Sequence, residues 1–276
     1  MRRGVATISD TSASVDGVET FWRRAEPGAG AAPAVFVHGV PTSSDIWLPF
    51  LEAAGGVALD LPGFGRSGKP ADFDYSVAGY DRFLETFLAH VGLERFSLVV
   101  HDWGGAALAT AQRLHDRLER LVLIAALPLL PGWRWHRVAR IWRTPVVGEL
   151  AMGFTIRPVL RRVLRASAGR PEAIPDEFVD SAYTHFDHGT QRAILKLYRS
   201  APPELLEASG RELRSITAPS LVLWPTEDPF IPQRFGPAYA EALGGESRLE
   251  IVEGAGHWAW LDRPELVAVV AEFLAG

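Results

Sequence analysis

The chain has 276 residues, of which 47% are hydrophobic, enough for one large domain with a sizeable core or for a domain that carries an insertion. Its formal net charge of −5 gives no reason to expect nucleic acid or an anionic membrane as a partner. It contains no cysteine, which excludes disulfides, thiol nucleophiles and thiolate metal sites.

The first elements of the chain carry no sign of export. Residues 1–17 contain two arginines but no apolar stretch behind them, so we expect no signal peptide. Residues 26–34 have the composition of a short linker. The longest apolar run, residues 121–130, is too short to span a bilayer and contains Pro128. We therefore expect a cytoplasmic protein, monomeric or homodimeric, with no membrane partner.

Short apolar, β-rich runs recur along the chain and predict the strands of a sheet. They lie at residues 34–38, 56–60, 96–100, 120–126, 220–224 and 248–253. The runs are continuous rather than alternating, as expected of strands that are covered on both faces. Helical stretches lie between several of them, for example residues 77–92, which end at Gly92. This alternation predicts an α/β fold with a mostly parallel, doubly wound sheet.

One segment interrupts the alternation. Residues 128–210 contain no clear strand and are helical and rich in arginine. Between residues 133 and 143 an apolar stripe runs beside arginines spaced three apart: Trp135, Val138, Ala139 and Trp142 beside Arg134, Arg137, Arg140 and Arg143. We predict a core domain of residues 1–127 and 211–276, with residues 128–210 inserted as a helical cap, or lid, after the strand predicted at 120–126. We expect the arginines to form a solvated outer face, with membrane docking as the minor alternative.

The sequence SLVVHDWGG, residues 97–105, ends a predicted strand in a carboxylate and two glycines. A strand, a tight turn and a helix (residues 106–115) form a nucleophile elbow, with Asp102 in the place of the nucleophile. Gly104 and Gly105 let the helix pass close to the strand, whereas Val100 stands where the motif usually has its first glycine. For Asp102 considered alone, a helix-capping role is the alternative.

Two further polar residues follow later strands. Asp228 comes after the strand at 220–224, and His257 lies in a glycine-bracketed loop after the last strand. The order nucleophile, acid, histidine is that of an α/β-hydrolase, in which these strand ends meet at one edge of the sheet. We expect Asp228 to hold the imidazole in the useful tautomer and His257 to activate water. Glu227 is the nearest rival to Asp228.

The turn after the first apolar strand supplies a possible oxyanion hole. It contains His38-Gly39-Val40-Pro41, and the backbone N–H of Val40 can point at a developing oxyanion. The N–H of Trp103 would be the second donor. We expect His38 itself to be structural and hydrogen-bonded inside the loop.

Together, His-Gly-Val-Pro, DLPGFGRSGKP (residues 60–70), HDWGG, the aspartate after LVLW and GAGHW resemble the α/β-hydrolase superfamily. Specifically, they resemble its aspartate-nucleophile branch of epoxide hydrolases and haloalkane dehalogenases, over nearly the whole chain outside the lid. The resemblance implies an alkyl-enzyme ester on Asp102, which water activated by His257 and Asp228 then hydrolyses. The chemistry agrees, because a carboxylate is already ionised at neutral pH and needs no activating base. No metal and no organic cofactor is implied.

The lid decides between the two leaving groups. Residues 194–202 resemble the lid tyrosine-arginine segment of epoxide hydrolases, so Tyr198 is the expected proton donor to an epoxide oxygen. Their second lid tyrosine is missing, and His136 or a lid tryptophan can substitute for it. In the dehalogenase alternative, Trp103 matches the tryptophan that holds the halide. Those enzymes commonly take a second donor from an asparagine after His-Gly, where this chain has Val40, so a lid indole would have to serve instead.

The sequence therefore predicts an epoxide hydrolase that gives vicinal diols. The alternatives are a haloalkane dehalogenase that releases halide and alcohol, an ester or lactone hydrolase, and a non-catalytic ligand-binding member of the fold. The aromatic lid predicts a small apolar or aromatic substrate besides water. The residues expected to contact it are Trp103, Trp135, His136 and Trp142.

Overall fold

The computed structural model describes residues 7–28 and 32–276. Residues 1–6, part of the segment predicted to contain no signal peptide, and residues 29–31 of the predicted linker lie outside the described residues. In the described part, eight strands form one sheet in the spatial order β1-β2-β4-β3-β5-β6-β7-β8. The strands are β1 (Ser9–Val15), β2 (Val18–Ala25), β3 (Ala34–Val37), β4 (Gly56–Leu59), β5 (Phe96–Asp102), β6 (Leu118–Ala126), β7 (Ser220–Pro225) and β8 (Ser247–Val252).

Six of these strands are the predicted ones, and they run parallel to one another. Every residue of β3, β4, β5 and β7 is buried, which explains why their sequences are continuous apolar runs. The first two strands form an antiparallel hairpin that joins the sheet through β2 and β4. The sequence pattern missed this hairpin because β1 is mostly polar and exposed at the sheet edge.

Helices cover both faces of the sheet, and the α/β-hydrolase fold expected from the motifs is confirmed. The helices are α1 (Leu48–Ala54), α2 (Val77–His90), α3 (Leu108–Arg113), α4 (Arg137–Arg143), α5 (Val147–Gly153), α6 (Arg157–Ala166), α7 (Asp176–Thr184), α8 (His188–Ser200), α9 (Pro203–Ser209), α10 (Phe235–Ala242), α11 (Ala259–Asp262) and α12 (Leu266–Ala275). The core on one face contains Phe50 of α1 and Leu274 of α12. The core on the other contains Phe87 of α2 and Tyr239 of α10.

Local signals set the ends of the predicted helices. The side chain of Ser76 accepts a hydrogen bond from the N–H of Gly79 at 3.1 Å and caps the start of α2. Gly92 follows the end of α2 with φ +72°, a left-handed conformation that residues other than glycine rarely adopt. The helix predicted at residues 106–115 is shorter, because a 3₁₀ turn at Trp103–Ala107 precedes α3.

Helices α4 to α9 lie between β6 and β7, where the sequence predicts the lid, and residues 128–210 contain no strand. The limits of the two domains stay a prediction. Arg134, Arg137 and Arg140 are exposed as expected. Arg143 is not solvated in that way, since its guanidinium turns inward to donate to the backbone carbonyls of Tyr198 and Ala201. Among the described residues, no helix combines the length and apolarity needed to cross a bilayer.

Candidate active site

Asp102 ends β5 in a strained turn. Its backbone has φ 50° and ψ −123°, a region that residues other than glycine rarely adopt and that costs roughly 1–3 kcal/mol. The turn is so tight that a Cβ on Gly104 would lie only 2.1 Å from the carbonyl oxygen of Val37, and only glycine fits there. The strain places the carboxylate above the end of the sheet, where 7% of the residue is exposed. This is the geometry predicted for a nucleophile elbow.

The backbone holds one carboxylate oxygen of Asp102 in place. The N–H of Val40 donates to Oδ1 at 2.9 Å. Gly39 makes this approach possible, because a Cβ there would lie 2.4 Å from both Cβ and Oδ1 of Asp102. Burial raises the pKa of Asp102, while the charge of His257 and the N–H groups of Trp103 and Val40 oppose that rise. Both predicted oxyanion donors therefore act on this side chain.

The structure brings the other two predicted residues to the same place. Nδ1–H of His257 donates to Oδ2 of Asp228 at 2.7 Å, which leaves Nε2 facing Oδ2 of Asp102 at 3.8 Å. Oδ1 of Asp228 is fixed in turn by the N–H groups of Phe230 at 2.7 Å and Ile231 at 3.1 Å. Glu227, the rival acid, is exposed.

The charge environment of His257 has opposing parts. Burial alone would lower the pKa of its imidazole, but the charge and hydrogen bond of Asp228 and the charge of Asp102 raise it above its usual value. The resting imidazole is therefore more basic than an ordinary histidine. Any change that removes the charge on Asp102 removes one of the causes of that rise.

Three contacts that hold the His257 loop were not predicted. Nε2–H of the fully buried His101 donates to the carbonyl oxygen of His257 at 2.9 Å. The N–H of His257 donates to the carbonyl oxygen of Ser167, in the lid, at 2.7 Å. The buried carboxylate of Asp262 accepts N–H groups from Gly256 at 2.9 Å and from Gly169 at 2.8 Å. The sequence offers no signal for these contacts beyond the proximity of Asp262 to His257.

His38 has the structural role expected of it. Its Nδ1–H donates to the carbonyl oxygen of Gly39 at 2.9 Å, and its Nε2 accepts the N–H of Leu61 at 3.0 Å. Both ring nitrogens are thus used to join the His-Gly-Val-Pro turn to the DLPGFG segment. No nitrogen is left for a substrate.

A cavity of about 240 Å³ lies between the side chains of Asp102 and His257 and the helices that follow β6. Asp102 and His257 line it from the core, and His136, Trp142 and Tyr198 line it from the lid. Most of the remaining wall is apolar: Val40, Pro41, Val138, Ile141, Ala151, Val159, Leu160, Val163, Leu164, Phe186, Phe230 and Trp258, with Thr155. A space of this size and lining suits a small apolar or aromatic molecule.

Tyr198 brings a hydroxyl to this cavity. It is 4% exposed, and its ring centroid lies 5.0 Å from that of Trp103. Burial, followed by the charge of Asp102, raises the pKa of Tyr198 well above its usual value, so the hydroxyl keeps its proton. The indole of Trp103 acts weakly in the opposite direction, but its Nε1–H makes no hydrogen bond of ordinary geometry.

His136 supplies a second polar group. Its Nδ1 accepts the N–H of Ala139 at 3.3 Å and caps the start of α4. This contact fixes the tautomer that carries hydrogen on Nε2. Burial, with the nearby charge of His257, lowers the pKa of His136 to about 4, so the ring is neutral at neutral pH. A neutral donor thus faces the cavity from the lid.

The predicted substrate contacts divide into two layers. His136 and Trp142 line the cavity, whereas Trp103 and Trp135 are not among the residues that line it. The two indoles stack on each other at 5.5 Å behind Tyr198. Nε1–H of Trp135 donates to the carbonyl oxygen of Ala201 at 2.8 Å, so this indole has no hydrogen to offer a ligand. Within residues 7–28 and 32–276, no cluster of three or more acidic or histidine side chains is placed to hold a metal ion.

Comparison with known proteins assigns this chain to a family. The model of the alpha/beta hydrolase family matches residues 34–270. A haloalkane dehalogenase from Bradyrhizobium diazoefficiens is 30% identical over 285 residues, 91% of this chain and 90% of that protein. Epoxide hydrolase A from Mycobacterium tuberculosis is 27% identical over 304 residues, 92% of this chain and 94% of that protein.

A solved structure agrees with these relatives. The crystal structure of haloalkane dehalogenase DbeA from Bradyrhizobium elkani superposes with a TM-score of 0.82 and 26% identity, covering 98% of both chains. The chain belongs to the alpha/beta hydrolase family and is a hydrolase. Its relatives include proteins named for each of the two activities that the sequence suggests.

Proposed function

We propose that the protein is an epoxide hydrolase that works through an ester on Asp102. The observation that carries this proposal is a pair of hydrogen-bond donors in the lid, the Tyr198 hydroxyl and the N–H of the neutral His136 ring. Both residues line the same cavity as the Asp102 carboxylate. An opening epoxide leaves an alkoxide, which needs a proton or a strong hydrogen bond. These are the groups that provide it.

In the first step Oδ2 of Asp102 attacks a ring carbon, and the carbon–oxygen bond of the epoxide breaks. Oδ2 is the oxygen available for attack, because Oδ1 already accepts the N–H of Val40. The ring oxygen takes the electron pair and then the proton of Tyr198, while Nε2–H of His136 donates a hydrogen bond. The product is a hydroxyalkyl ester on Asp102, and a proton from water restores Tyr198.

In the second step water attacks the ester carbonyl. Nε2 of His257 takes a proton from this water, and Asp228 stabilises the imidazolium through the 2.7 Å hydrogen bond. Oδ1 becomes the oxyanion and stays between the N–H groups of Val40 and Trp103. Because esterification removes the charge of Asp102, it lowers the pKa of His257 when a neutral base is required. Collapse of the intermediate breaks the bond between the carbonyl carbon and Oδ2, and the imidazolium of His257 gives its proton to the departing oxygen, so that a vicinal diol is released. The regenerated carboxyl group of Asp102 loses its proton, which neutralises the hydroxide left when water restored Tyr198.

A haloalkane dehalogenase is the second candidate, and one observation favours it. Nε1–H of Trp103 is buried without a partner, and Trp142 lines the cavity. Two indole N–H groups can hold a leaving halide without a competing negative charge. The Tyr198 ring packed against Trp103 weighs against this candidate, since it covers the indole from the lid side. The ester hydrolase and the non-catalytic binder remain predictions with no comparable observation behind them.

The deciding experiment supplies styrene oxide and 1,2-dibromoethane separately. Diol formation without bromide release supports the epoxide hydrolase, and bromide release without diol supports the dehalogenase. The His257→Ala variant should keep the first step and lose the second, so intact-protein mass spectrometry should show an adduct. An epoxide adds its full mass, whereas a bromoalkane adds its mass less that of hydrogen bromide.

The matched control is His188→Ala, which removes an exposed histidine outside the cavity lining. This variant should turn over normally and accumulate no adduct. If His257→Ala also turns over normally, the two-step scheme is wrong. If the wild-type protein forms neither product but is stabilised by either compound in a thermal shift assay, the non-catalytic reading replaces both enzymes.

A further inference from the structure

The lid carries a strongly basic face that the net charge of the chain conceals. Residues 134–165 contain eight arginines, no lysine and a single acidic residue, Glu149. The expectation of no membrane partner depended on the overall charge of −5, which averages this segment with a much more acidic remainder. Surface electrostatics depend on where the charges lie.

Exposed hydrophobic side chains concentrate in the same segment. Ten large hydrophobic residues are exposed in the described part of the chain, and eight of them lie between residues 141 and 163. These eight, which we call the lid patch, are Ile141, Val146, Val147, Leu150, Phe154, Ile156, Val159 and Val163. Phe154 is 75% exposed and Val146 is 69% exposed. Isolated surface hydrophobics are ordinary, but such a concentration marks an interaction surface.

The lid patch surrounds the entrance to the active-site cavity. Ile141, Val159 and Val163 each line the cavity and are also exposed at the surface. A residue can do both only where the cavity meets the outside. The entrance therefore lies between α4, which carries Ile141, and α6, which carries the two valines.

Helix α5 extends the lid patch away from this entrance. Val147, Leu150 and Phe154 follow one another at helical spacing and share a face with Ala151, which lines the cavity. The buried residues of α5, Gly148 and Met152, lie on its other side. The apolar surface is thus continuous from the cavity wall to Phe154, the most exposed of the large hydrophobic side chains of the lid patch.

Several arginines around the lid patch have no internal partner. The side chains of Arg134, Arg137, Arg140 and Arg162 are exposed and make no hydrogen bond or ion pair with the described residues. The others are engaged: Arg157 pairs with Asp180, Arg161 and Arg165 pair with Asp176, Arg199 binds Glu149, and Arg143 binds backbone carbonyls. The free guanidinium groups offer charge to a partner that is anionic.

We propose that the lid patch docks on an anionic lipid bilayer, so that the cavity opens into the membrane surface. The apolar side chains of the lid patch can enter the acyl region of such a bilayer, and the neighbouring arginines can bind its phosphate headgroups. A second copy of the chain fits less well, because two identical faces would bring together four unpaired arginines from each copy. The substrates that enter by this route are lipophilic molecules that partition into bilayers.

The test is flotation of the full chain with phosphatidylcholine vesicles, with and without phosphatidylglycerol. The wild-type protein should float with the anionic vesicles at low salt and separate from them at high salt. Arg137→Gln/Arg140→Gln/Arg162→Gln should weaken partitioning roughly five-fold for each arginine removed, about a hundred-fold in total. Leu150→Ser/Phe154→Ser should weaken it about ten-fold or more.

Matched controls separate the lid patch from general charge and apolarity. Arg24→Gln/Arg211→Gln/Arg214→Gln removes three exposed arginines elsewhere, and Leu205→Ser removes a 56% exposed leucine of α9. Both should partition as the wild type does. The proposal is overturned if the wild type binds neither vesicle, or if control and lid-patch variants weaken equally. It is also overturned if light scattering shows a dimer that Leu150→Ser/Phe154→Ser dissociates.

A second arm tests the route of substrate entry and depends on the proposed function. With anionic vesicles present, turnover of a long-chain terminal epoxide should fall with partitioning in the lid-patch variants, whereas turnover of a water-soluble epoxide should not change. Flotation needs no catalysis, so a protein that binds vesicles but opens no epoxide keeps the docking proposal and loses only the proposed activity. Equal loss on both substrates would contradict entry from the bilayer.

Discussion

Replacing Tyr198 by phenylalanine removes one hydroxyl and keeps the aromatic ring that packs between Trp103 and Trp142. Since the ring contacts persist, the fold should be unchanged and the effect should be chemical. Burial and the charge of Asp102 raise the pKa of Tyr198, so we expect the hydroxyl to carry its proton in the resting site. Losing one such preorganised donor typically costs about 10²–10³ in rate, or about 2.7–4 kcal/mol of transition-state stabilisation.

The loss should fall on the first step only. In single-turnover experiments with styrene oxide, ester formation should slow about 10²–10³-fold in Tyr198→Phe, while decay of the ester should be unchanged. Bromide release from 1,2-dibromoethane, if the wild type shows any, should be kept or increased, because the variant no longer places an oxygen near the unpartnered N–H of Trp103.

Two results would refute this reasoning. Epoxide turnover within two-fold of the wild type would show that the hydroxyl takes no part in ring opening. A parallel loss of epoxide and bromide turnover, with unchanged melting temperature, would show that Tyr198 shapes the cavity and does not donate a proton. Tyr183→Phe, which removes the hydroxyl of an exposed tyrosine, is the matched control.

The remaining predictions concern the other groups of the site. Asp228→Asn should slow ester hydrolysis by about 10⁴, measured as ester accumulation, because the amide no longer fixes the imidazole tautomer. Gly39→Ala should slow ester formation roughly 10²-fold, measured in single turnovers, since the new methyl group displaces the nucleophile. His136→Asn keeps a helix cap but removes the far N–H, so steady-state epoxide turnover should fall about 10²-fold. Ester hydrolysis should rise with pH as His257 loses its proton, and ester formation should fail at a higher pH than an ordinary aspartate near 3.8 would allow, because burial raises the pKa of Asp102.

Two neighbours provide controls for these variants. Glu227→Gln changes the exposed acid next to Asp228 and should leave the ester lifetime as in the wild type. Gly153→Ala adds a methyl group where nothing lies within 4 Å and should leave activity unchanged. A long-lived ester in Glu227→Gln would reassign the acid of the triad. Full activity in Gly39→Ala would mean that the turn relaxes to accommodate the clash.

The sequence reveals those parts of the molecule that depend on local patterns. The buried parallel strands β3, β4, β5 and β7 are continuous apolar runs because both faces are covered. Asp102 ends β5, Asp228 follows β7 and His257 follows β8. The sequence did not predict the hairpin of β1 and β2, because β1 is an exposed edge strand and needs no apolar pattern. The sequence therefore predicted the six parallel strands and the polar residues that meet at their ends, but not the hairpin at the sheet edge.

The roles of the lid residues depend on contacts between distant parts of the chain. Trp135 was an expected substrate contact, but Ala201, 66 residues later, takes its N–H. His101 and His257 are 156 residues apart in the sequence, and no local pattern indicates that one donates to the other. Arg143 turns inward for the same reason, since its acceptors belong to another helix. Such roles follow from packing, which a single sequence does not display.

The carboxylate of Asp262 accepts hydrogen bonds from the N–H groups of Gly169 and Arg170 and so joins the His257 loop to the lid segment. The N–H of His257 itself donates to the carbonyl oxygen of Ser167. These hydrogen bonds fix the end of α6 to the core. If the lid opens, we therefore expect the movement to occur nearer to α4 and α5. This linkage limits how the lid can be replaced in an engineered protein. A lid transplanted from a relative has to bring residues 167–170 together with a matching 256–262 loop, because a mismatch would displace His257, the proposed general base.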